Sequence, residues 1–368
     1  MSDALSIGVV GTGSLGQRGA LDHLVLPDVT DRIRVGAVCD TAPGRAQAAA
    51  DAYDIDRFHD NYDSLLRDGD VEAVTLCTPI GLHYEQGLKA IRAGKHVHFN
   101  KTMATTAAEA TILIDAAEAE GVRIVASPGQ MAQPQNRLIR DLIADGAIGD
   151  LIWAATGAAF GDYHETEPSR QGDGPLDSGS PEWYWKKPGG GPMYDMTVYS
   201  LHTLTGILGP ARRVTSMSGT RIKERTFRGT TFTCDADDNT LAVLDFGDAL
   251  YALAYGVSTG ELLAEFEQPA FFGTQGSIVG RDLNGEPLEY PGRDTTDEPG
   301  QVGPLIEGEH ATMEEAHVFQ DILQLADYVK RDTRPFGTAE HARHVIEIIE
   351  SAYRAAATGE TQTLTTSF

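Results

Sequence analysis

The first residues that could do chemistry form a glycine-rich turn at residues 11–16, directly after a short apolar run. Glycines at the first, third and sixth positions allow a tight bend, close approach of a pyrophosphate, and close packing of helix on strand. The N-terminus of the following helix offers unpaired N–H groups to phosphate oxygens. The residues predicted to hold a dinucleotide here are Gly11, Thr12, Gly13, Ser14, Leu15 and Gly16.

An acidic residue, Asp40, ends the second apolar run, 24 residues after Gly16. A carboxylate at that place accepts hydrogen bonds from the adenosine ribose hydroxyls. The same negative charge would repel the 2′-phosphate of NADP, so the pattern favours NAD. Arg45 lies close in sequence and leaves NADP open as an alternative.

A further contact with the cofactor is predicted where Thr78 and Pro79 follow the apolar run at residues 73–77. In an open α/β sheet, ligands bind at the carboxyl ends of strands, so this turn faces the nucleotide. His83 comes four residues after Pro79. Two interpretations of His83 stay open, contact with the cofactor and packing at the start of a helix.

A second group of polar residues has helical spacing. Asp195, Tyr199 and His202 lie at positions i, i+4 and i+7, so on a helix they would share one face. Lys101 follows the apolar run at 96–99 and would reach that face across a cleft between two halves of the chain. Oxidation of a secondary alcohol needs such groups, because a hydride leaves to nicotinamide while a base takes the hydroxyl proton.

The elements that position these residues alternate in the first third of the chain. Short apolar runs separated by helical stretches are typical of a parallel sheet with right-handed crossovers. Strands are predicted at residues 6–10, 33–39, 73–77, 96–99 and 122–126, and helices at 14–24, 43–53, 83–93 and 107–120. The sequence therefore predicts a doubly wound parallel α/β sheet, a Rossmann fold, in a cofactor-binding domain of residues 1–127.

The pattern changes after residue 128 and indicates an α+β domain of residues 128–368. Helices are predicted at residues 135–145, 193–208, 311–331 and 338–358, and strands at 151–158, 213–219, 239–246, 249–257 and 276–280. Short turns between the later strands favour antiparallel pairing. Residues 160–190 show no period, and their aromatic content favours an ordered loop.

Composition excludes several classes of function. The chain has 54 acidic and 29 basic residues, a net charge of −25, which repels phosphate backbones and argues against a nucleic-acid partner. No apolar run approaches the roughly 18 residues that a membrane span needs.

The cysteines Cys39, Cys77 and Cys234 form no CxxC pair and suit a reducing cytoplasm. His310 and His317 are too widely spaced for a metal pair, so no metal is predicted.

Five motifs resemble the Gfo/Idh/MocA oxidoreductase family, in its expected order along the chain. They are GVVGTGSLG from residue 8, CD at 39–40, TPIGLHYE at 78–85, GKHVHFNKTMA at 94–104 and GGGPMYDMTVYSLH at 189–202. The resemblance implies a Rossmann domain followed by a domain with a large open sheet, which often forms the interface of a homodimer or homotetramer. It also implies NAD(P)-dependent oxidation or reduction of a sugar or cyclitol hydroxyl.

Two departures from the family pattern affect the predicted site. The family's Glu-Lys-Pro appears here as Asn100-Lys101-Thr102, which keeps the lysine. The family's Asp-x-x-x-His pair appears as Asp195 and Tyr199, with His202 three residues later. Asn100 and Lys101 are both expected beside the cofactor.

We hypothesise the following roles for these residues in such an oxidation. Lys101 would hydrogen-bond the reacting hydroxyl and lower the pKa of the base. Tyr199 would be the general acid/base, because it occupies the family's base position. Asp195 would orient Lys101 or the sugar, and His202 would be a substrate ligand or relay. His202 as the base, with Tyr199 as a ligand, is the alternative.

Aromatic residues before the glycine triplet at 189–191 are candidates to bind a sugar. Aromatic faces stack on sugar C–H surfaces, and lysine donates hydrogen bonds to hydroxyls. The predicted substrate contacts are Tyr163, Trp183, Trp185 and Lys186, together with Tyr199 and His202. Tyr184, Lys187 and His164 of the same segment are further candidates. The tryptophans could equally be core or interface residues.

Two other functions fit the same motifs. A glycosidase can use bound NAD for a transient oxidation of its substrate, and a regulator can bind NAD without catalysis. Retention of Lys101 and of the polar stripe argues against the regulator.

Overall fold

A parallel sheet organises the first half of the chain. The computed structural model describes residues 4–159, 161, 163–259, 269–291 and 305–368. The strands of this sheet are β1 Leu5–Val10, β2 Ile33–Cys39, β3 Phe58–His59, β4 Ala73–Leu76, β5 His96–Phe99 and β6 Ile124–Ala126. They form one six-stranded parallel sheet in the order β3-β2-β1-β4-β5-β6, which confirms the predicted Rossmann fold. The order reverses between β1 and β4, the point at which such sheets bind ligands.

Helices cover both faces of this sheet. They are α1 Asp22–Leu24, α2 Arg45–Ala52, α3 Tyr62–Leu66, α4 His83–Arg92 and α5 Ala107–Glu120, with a π-helical segment, Gly16–Leu21, leading into α1. Leu5 and Ile7 of β1 belong to one apolar cluster and Val10 to another. Because side chains alternate along a strand, the two clusters lie on opposite faces of the sheet.

The bounds of α5 follow from its sequence. Thr106 accepts a hydrogen bond from the Glu109 N–H, and the Glu109 carboxylate accepts one from the Thr106 N–H, which together form a capping box. Gly121 ends the helix with φ 67°, a left-handed conformation that glycine adopts without steric cost. The predicted helix at 107–120 therefore has the observed bounds. The short β3 and α3 were not predicted, because two to five residues carry no readable period.

A second sheet organises the rest of the chain. Its strands are β7 Leu151–Ala159, β8 Arg213–Gly219, β11 Asn239–Gly247, β12 Leu250–Val257, β13 Ala270–Gly273, β14 Ser277–Val279, β15 Asp282–Leu283, β16 Glu286–Pro287 and β17 Gln362–Thr363; β9 Glu224–Phe227 and β10 Thr230–Thr233 form a separate hairpin. The order is β16-β15-β14-β13-β7-β12-β11-β8-β17. Strands β7 and β12 pair parallel and the other neighbours antiparallel, so the predicted mostly antiparallel open sheet is confirmed.

The helices of the second half differ from prediction at two starts. They are α6 Pro134–Ala144, α7 Tyr163–Thr166, α8 Val198–Leu208, α9 Ala316–Arg331 and α10 Ala339–Thr358. The predicted helix at 193–208 divides into a π-helical turn, Met193–Thr197, and α8. The predicted helix at 311–331 begins at 316, because Glu315 has φ 56° and breaks the helical backbone. Short 3-10 turns lie at Pro27–Val29, Ile80–Leu82, Gln130–Ala132, Pro168–Arg170, Glu182–Trp185 and Gly308–Thr312.

The last two helices return to the first sheet. Val318, Phe319 and Ile322 of α9 pack in the same apolar cluster as Leu5 and Ile7 of β1. Helix α9 therefore lies against the first sheet, although it comes from the second half of the chain. Within the described ranges, no helix combines the length and apolar character that a bilayer span requires.

Candidate active site

A cavity of about 430 Å³ lies at the carboxyl ends of β1, β2 and β4, with walls from both halves of the chain. The predicted site residues that line it are Gly11, Gly13, Ser14, Leu15, Asp40, Thr78, Pro79, Asn100, Lys101, Trp183 and Asp195. The predicted residues outside its lining are Thr12, Gly16, His83, Trp185, Lys186, Tyr199 and His202.

The three glycines of the turn fit the three roles that their spacing predicts. Gly11 has φ 86°, and a Cβ there would lie 2.9 Å from the Cys77 carbonyl. A Cβ on Gly16 would lie 1.9 Å from the Gly11 carbonyl oxygen, so only glycine lets helix and strand approach. A Cβ on Gly13 would meet nothing within 4 Å and would stand in the cavity. This cradle fits the pyrophosphate of a dinucleotide.

Substitutions at two of these glycines are expected to separate folding from binding. Gly16→Ala places a methyl group against fixed backbone and should lower the free energy of unfolding by about 3 kcal/mol or more. Gly13→Ala should leave stability near wild type and weaken NADH binding about 10-fold, a loss of ~1.4 kcal/mol. Thermal denaturation and NADH fluorescence titration measure the two effects. Wild-type NADH affinity in Gly13→Ala would contradict this placement of the pyrophosphate.

Asp40 is fixed at the end of β2 by two backbone groups. Its carboxylate accepts hydrogen bonds from the N–H groups of Thr12, at 2.9 Å, and Ala42, at 2.8 Å. Thr12 therefore supports Asp40 from behind the cavity. Arg45 Nη1 lies 3.8 Å from Asp40 Oδ2, while its Nε donates to the Pro175 carbonyl oxygen at 2.7 Å. The carboxylate at this place fits a ribose diol, and the guanidinium already has partners.

His83 holds two turns together behind the cavity. Its ring is buried, with Nε2 2.8 Å from the Thr78 carbonyl oxygen and Nδ1 2.7 Å from that of Thr102. Burial lowers the pKa of His83. The structure therefore places His83 between the turns that carry Thr78 and Lys101, which matches the packing interpretation rather than contact with the cofactor.

The irregular segment of residues 168–184 covers one side of the cavity. Its Leu176 carbonyl oxygen accepts a hydrogen bond from the Gln17 side chain at 3.2 Å. Arg18, in the same helical segment as Gln17, pairs with Glu167 at 2.8 Å. Ser169, Arg170, Leu176, Gly179 and Ser180 all contribute to the cavity wall. A dinucleotide held by the glycine turn would be enclosed between the first sheet and this segment.

Lys101, Asp195 and His164 form one buried polar cluster. Lys101 Nζ donates to Asp195 Oδ1 at 2.6 Å and also to its carbonyl oxygen. His164 Nε2 lies 2.8 Å from Asp195 Oδ2, so both carboxylate oxygens have partners. Burial alone would raise the pKa of Asp195, but the Lys101 charge and the His164 contact outweigh it and hold that pKa well below its usual range. Asp195 is therefore an anion that fixes the Lys101 ammonium.

Tyr199 lies beside this cluster and contacts a residue from α9. Lys101 Nζ is 5.2 Å from the centroid of the Tyr199 ring. The Tyr199 hydroxyl is 3.0 Å from His317 Nε2, and the two rings meet edge to face. Burial and the Lys101 charge lower the pKa of His317, while Glu315 acts in the opposite direction. Tyr199 thus lies close to both a cation and an imidazole.

His202 lies apart from Lys101, Asp195 and Tyr199 in its contacts. Its Nδ1 is 2.9 Å from the Val198 carbonyl oxygen, and its ring packs on His341 at 4.7 Å. Burial lowers the pKa of His202 to about 4. The structure therefore brings Asp195 and Tyr199 to Lys101 and leaves His202 apart from them. Asp195 lies in the π-helical turn before α8, so Asp195 and His202 do not follow the regular α-helical spacing of the prediction.

The predicted aromatic contacts divide between the cavity and the core. Trp183 lines the cavity and stacks on Tyr184 at 3.7 Å. Trp185 is buried, with the Arg225 guanidinium 3.6 Å from its ring centroid, so it is a core residue. Lys186 pairs with Glu182 and Thr233 at the surface. The side chain of Tyr163 lies outside the described part of the structure.

His317 was not among the predicted site residues, whereas Tyr184 and His164 were candidates for contact with a sugar. Tyr184 lines the cavity beside Trp183, and His164 packs on it at 3.6 Å. No local pattern marks His317, because its contact with Tyr199 spans 118 residues. Within the described ranges, no group of three or more His, Cys, Asp or Glu is arranged to hold a metal ion.

Two curated proteins similar to this chain are named as enzymes that act on a cyclitol and on a sugar. A 1,5-anhydro-D-fructose reductase of Ensifer adhaerens is 30% identical over 258 residues, 68% of each chain. An inositol 2-dehydrogenase of Salmonella typhimurium is 37% identical over 123 residues, 33% of this chain and 35% of its own. The first curated relatives are matched over only 54% and 35% of their own lengths.

Solved structures share the whole fold. The WlbA dehydrogenase of Bordetella pertussis, solved with NADH and UDP-GlcNAcA, superimposes with a TM-score of 0.72 at 19% identity, over 98% of this chain and 99% of its own. Residues 5–127 match the model of the oxidoreductase family with an NAD-binding Rossmann fold, and residues 136–279 match the GFO/IDH/MocA C-terminal domain. With the glycine cradle and the lysine–aspartate pair in place, the chain belongs to the GFO/IDH/MocA family of NAD-binding oxidoreductases.

Proposed function

We propose that this chain is an NAD-dependent oxidoreductase that transfers a hydride between nicotinamide and a hydroxyl-bearing carbon of a sugar or cyclitol. One observation carries the proposal. The Lys101–Asp195 pair lines the same cavity as the glycine turn, so a fixed ammonium group lies where the cofactor and an alcohol would meet. A protein that only binds NAD has no need of a buried cation paired in this way.

Each residue of the cluster has its own role in the proposed reaction. Bound nicotinamide would supply the hydride chemistry. Lys101 donates a hydrogen bond to the reacting oxygen and stabilises the negative charge that develops there. Asp195 keeps the ammonium in place, and His164 keeps the carboxylate in place. Tyr199, beside Lys101, exchanges the hydroxyl proton.

The substrate class rests on the relatives and on the cavity wall. The two curated relatives described above act on an inositol and on an anhydro sugar by their names. Trp183 and Tyr184 present aromatic surface to the cavity, which suits the C–H faces of a sugar or cyclitol ring. The Asp40 carboxylate favours NAD over NADP, because it would repel a 2′-phosphate.

An absorbance screen at the NADH band tests this function. The panel holds myo-inositol, D-glucose, D-xylose and alkyl glucosides, each with NAD and with NADP, at low and high salt. Steady NADH formation from a polyol or sugar is the expected result. Conversion of a glycoside without net NADH would identify the NAD-using glycosidase instead. Absence of turnover across the panel, with NADH binding intact, would contradict the proposal.

The second sheet also supports a homodimer or homotetramer. Met217 and Leu241 face each other across β8 and β11 and are 81% and 51% exposed, and Trp153 and Tyr251 extend this apolar face. Contiguous exposed apolar surface of this kind marks a protein interface.

We expect light scattering to give a mass of two or four chains, and Met217→Asp to weaken association about 100-fold. Ile112→Asp, at an exposed position on α5, is the control; a monomeric wild type would contradict the proposal.

The cytoplasm is the compartment that this proposal favours. Cys39, Cys77 and Cys234 are all free thiols, as expected where disulfides do not form. The net charge of −25 further argues that the partner is a small molecule and not a nucleic acid.

A further inference from the structure

We infer that His317 receives the substrate proton through Tyr199, an inference that rests on the proposed oxidation. Tyr199 would then pass the proton on rather than keep it. The juxtaposition that carries this is the 3.0 Å contact between the Tyr199 hydroxyl and His317 Nε2, on two helices far apart in sequence. Neither the family motifs nor the helical spacing assigns a role to His317.

Tyr199 contacts two groups of different chemistry. The Lys101 ammonium lies 5.2 Å from the centroid of its ring. The His317 imidazole meets the phenol edge to face, with ring centroids 5.3 Å apart. Tyr199 is 4% exposed, and the His317 side chain is 17% exposed. Tyr199 therefore connects Lys101, which lines the cavity, with the partly exposed His317.

A phenol alone is a poor base near neutral pH. Its ordinary pKa is about 10, whereas that of imidazole is about 6.5, so a neutral imidazole is the better proton acceptor. Burial keeps His317 neutral, since it disfavours the charged form. A neutral ring whose Nε2 carries no proton accepts the Tyr199 O–H, which leaves the phenol oxygen free to accept a proton from the substrate.

The step balances without a further reactant. Bound NAD would take the hydride, with its two electrons, as the C–H bond breaks and the carbon–oxygen double bond forms. The substrate O–H proton moves to the Tyr199 oxygen, and the Tyr199 proton moves to His317 Nε2. Tyr199 is neutral before and after, and the positive charge ends on the imidazole. Reduction of a carbonyl runs the same transfers backwards.

The surroundings of His317 suit a ring that gains and loses charge. Glu315 Oε2 lies 3.6 Å from His317 Nε2 and stabilises the imidazolium once it forms. Glu315 Oε1 is 3.5 Å from Nη1 of Arg18, which lies in the π-helical segment Gly16–Leu21 after the glycine turn. Lys101, and His23 when protonated, act in the opposite direction and favour release of the proton. The partly exposed ring can pass that proton to water.

His317→Gln tests the inference, because glutamine can still hydrogen-bond Tyr199 but cannot take a proton at this pH. The assay uses whichever polyol of the panel wild type oxidises fastest, with NAD. We expect kcat at pH 7 to fall about 100-fold, with KM and NADH affinity near wild type. In wild type, kcat falls as acid protonates His317. In the variant we expect that acid limb to move by more than one pH unit to the alkaline side, because Tyr199 must then accept the proton alone.

His96→Gln is the control, since it removes a histidine at the first residue of β5, at the end of the sheet opposite the cavity, and should leave both kcat and its pH profile unchanged. A His317→Gln enzyme with the wild-type pH profile would overturn the inference, even with a lower kcat, because a purely structural role does not move the profile. An inactive wild type would instead refute the proposed function itself.

A second measurement covers the case in which His317→Gln fails to fold. In wild type with NAD bound, NMR of ring-labelled histidine follows the titration of His317, and Tyr199→Phe removes its hydroxyl partner. We expect the His317 pKa to change in Tyr199→Phe and not in the Tyr328→Phe control, whose hydroxyl accepts a hydrogen bond from Arg123 outside the cavity. Identical His317 titrations in wild type and Tyr199→Phe would overturn the inference.

Discussion

Replacing Lys101 with methionine is expected to lower kcat about 10²- to 10⁴-fold and to leave NADH binding within a few-fold of wild type. The Lys101 side chain is 11% exposed and its ammonium group is fixed by Asp195 in the cavity, so its charge acts on the reacting oxygen with little screening by water. Methionine keeps the length of the side chain and removes the charge. Steady-state kinetics on the best polyol of the panel, with an NADH titration alongside, measures both effects.

Two further variants make the Lys101 result specific. Lys89→Met removes a lysine paired with Asp63 at the surface, where both side chains are more than half exposed, and should leave kcat unchanged. Lys101→Arg keeps a cation beside Asp195 and should retain stability better than Lys101→Met, while kcat stays low because the guanidinium cannot occupy the same point. Near-wild-type kcat in Lys101→Met would refute the proposed mechanism.

Replacing Asp195 with asparagine is expected to lower the free energy of unfolding by about 3–5 kcal/mol at pH 7, because Lys101 is left as a buried cation without its anion. Asp195 is 2% exposed, and both its oxygens have partners. Urea unfolding of the two proteins, compared at each pH, measures the loss. Rates should fall as well, since the ammonium is no longer fixed.

The pH dependence of that loss follows from the lowered pKa of Asp195. A carboxyl whose pKa is depressed in the folded state contributes its stability above the unfolded value, about 3.9, and loses it as the pH falls further. The difference in the free energy of unfolding between wild type and Asp195→Asn should therefore be constant from pH 7 to about 5 and decrease below about pH 4. Asp63→Asn, the same change in the exposed pair with Lys89, should cost less than about 1 kcal/mol. If Asp195→Asn lowered the free energy of unfolding by no more than Asp63→Asn does, the assignment of Asp195 as the anion that fixes Lys101 would be contradicted.

The nucleotide-binding half was largely predictable because its signals are local. Each buried strand, such as β2 at Ile33–Cys39, is a short apolar run, and α5 carries its start and stop signals in Thr106, Glu109 and Gly121. The geometry of the glycine turn was likewise predictable from the spacing of its three glycines. Features that depend on pairing, such as β3 or the β9–β10 hairpin, left no such signal.

The catalytic cluster was only partly predictable. The meeting of Lys101 and Asp195, 94 positions apart, was expected from the place of Lys101 after a strand, the helical spacing of Asp195 and the family resemblance together. His202 was grouped with Asp195 on regular α-helical spacing, but the turn at Met193–Thr197 is π-helical, and a wider turn changes which residues share a face. His164 and His317 reach the cluster through tertiary folding alone, one from an irregular segment and one from α9.

The position of α10 has a consequence for how molecules enter the cleft. Its Ala342 and Ile346 belong to the apolar core of the first sheet, while its Val345 and Ile349 belong to that of the second. A hinge rotation that separated the two sheets would expose these side chains on one side, at about 1.5–3 kcal/mol for each large one. The two halves therefore behave as one rigid frame, and access to the cleft depends on local displacement of covering segments such as residues 168–184.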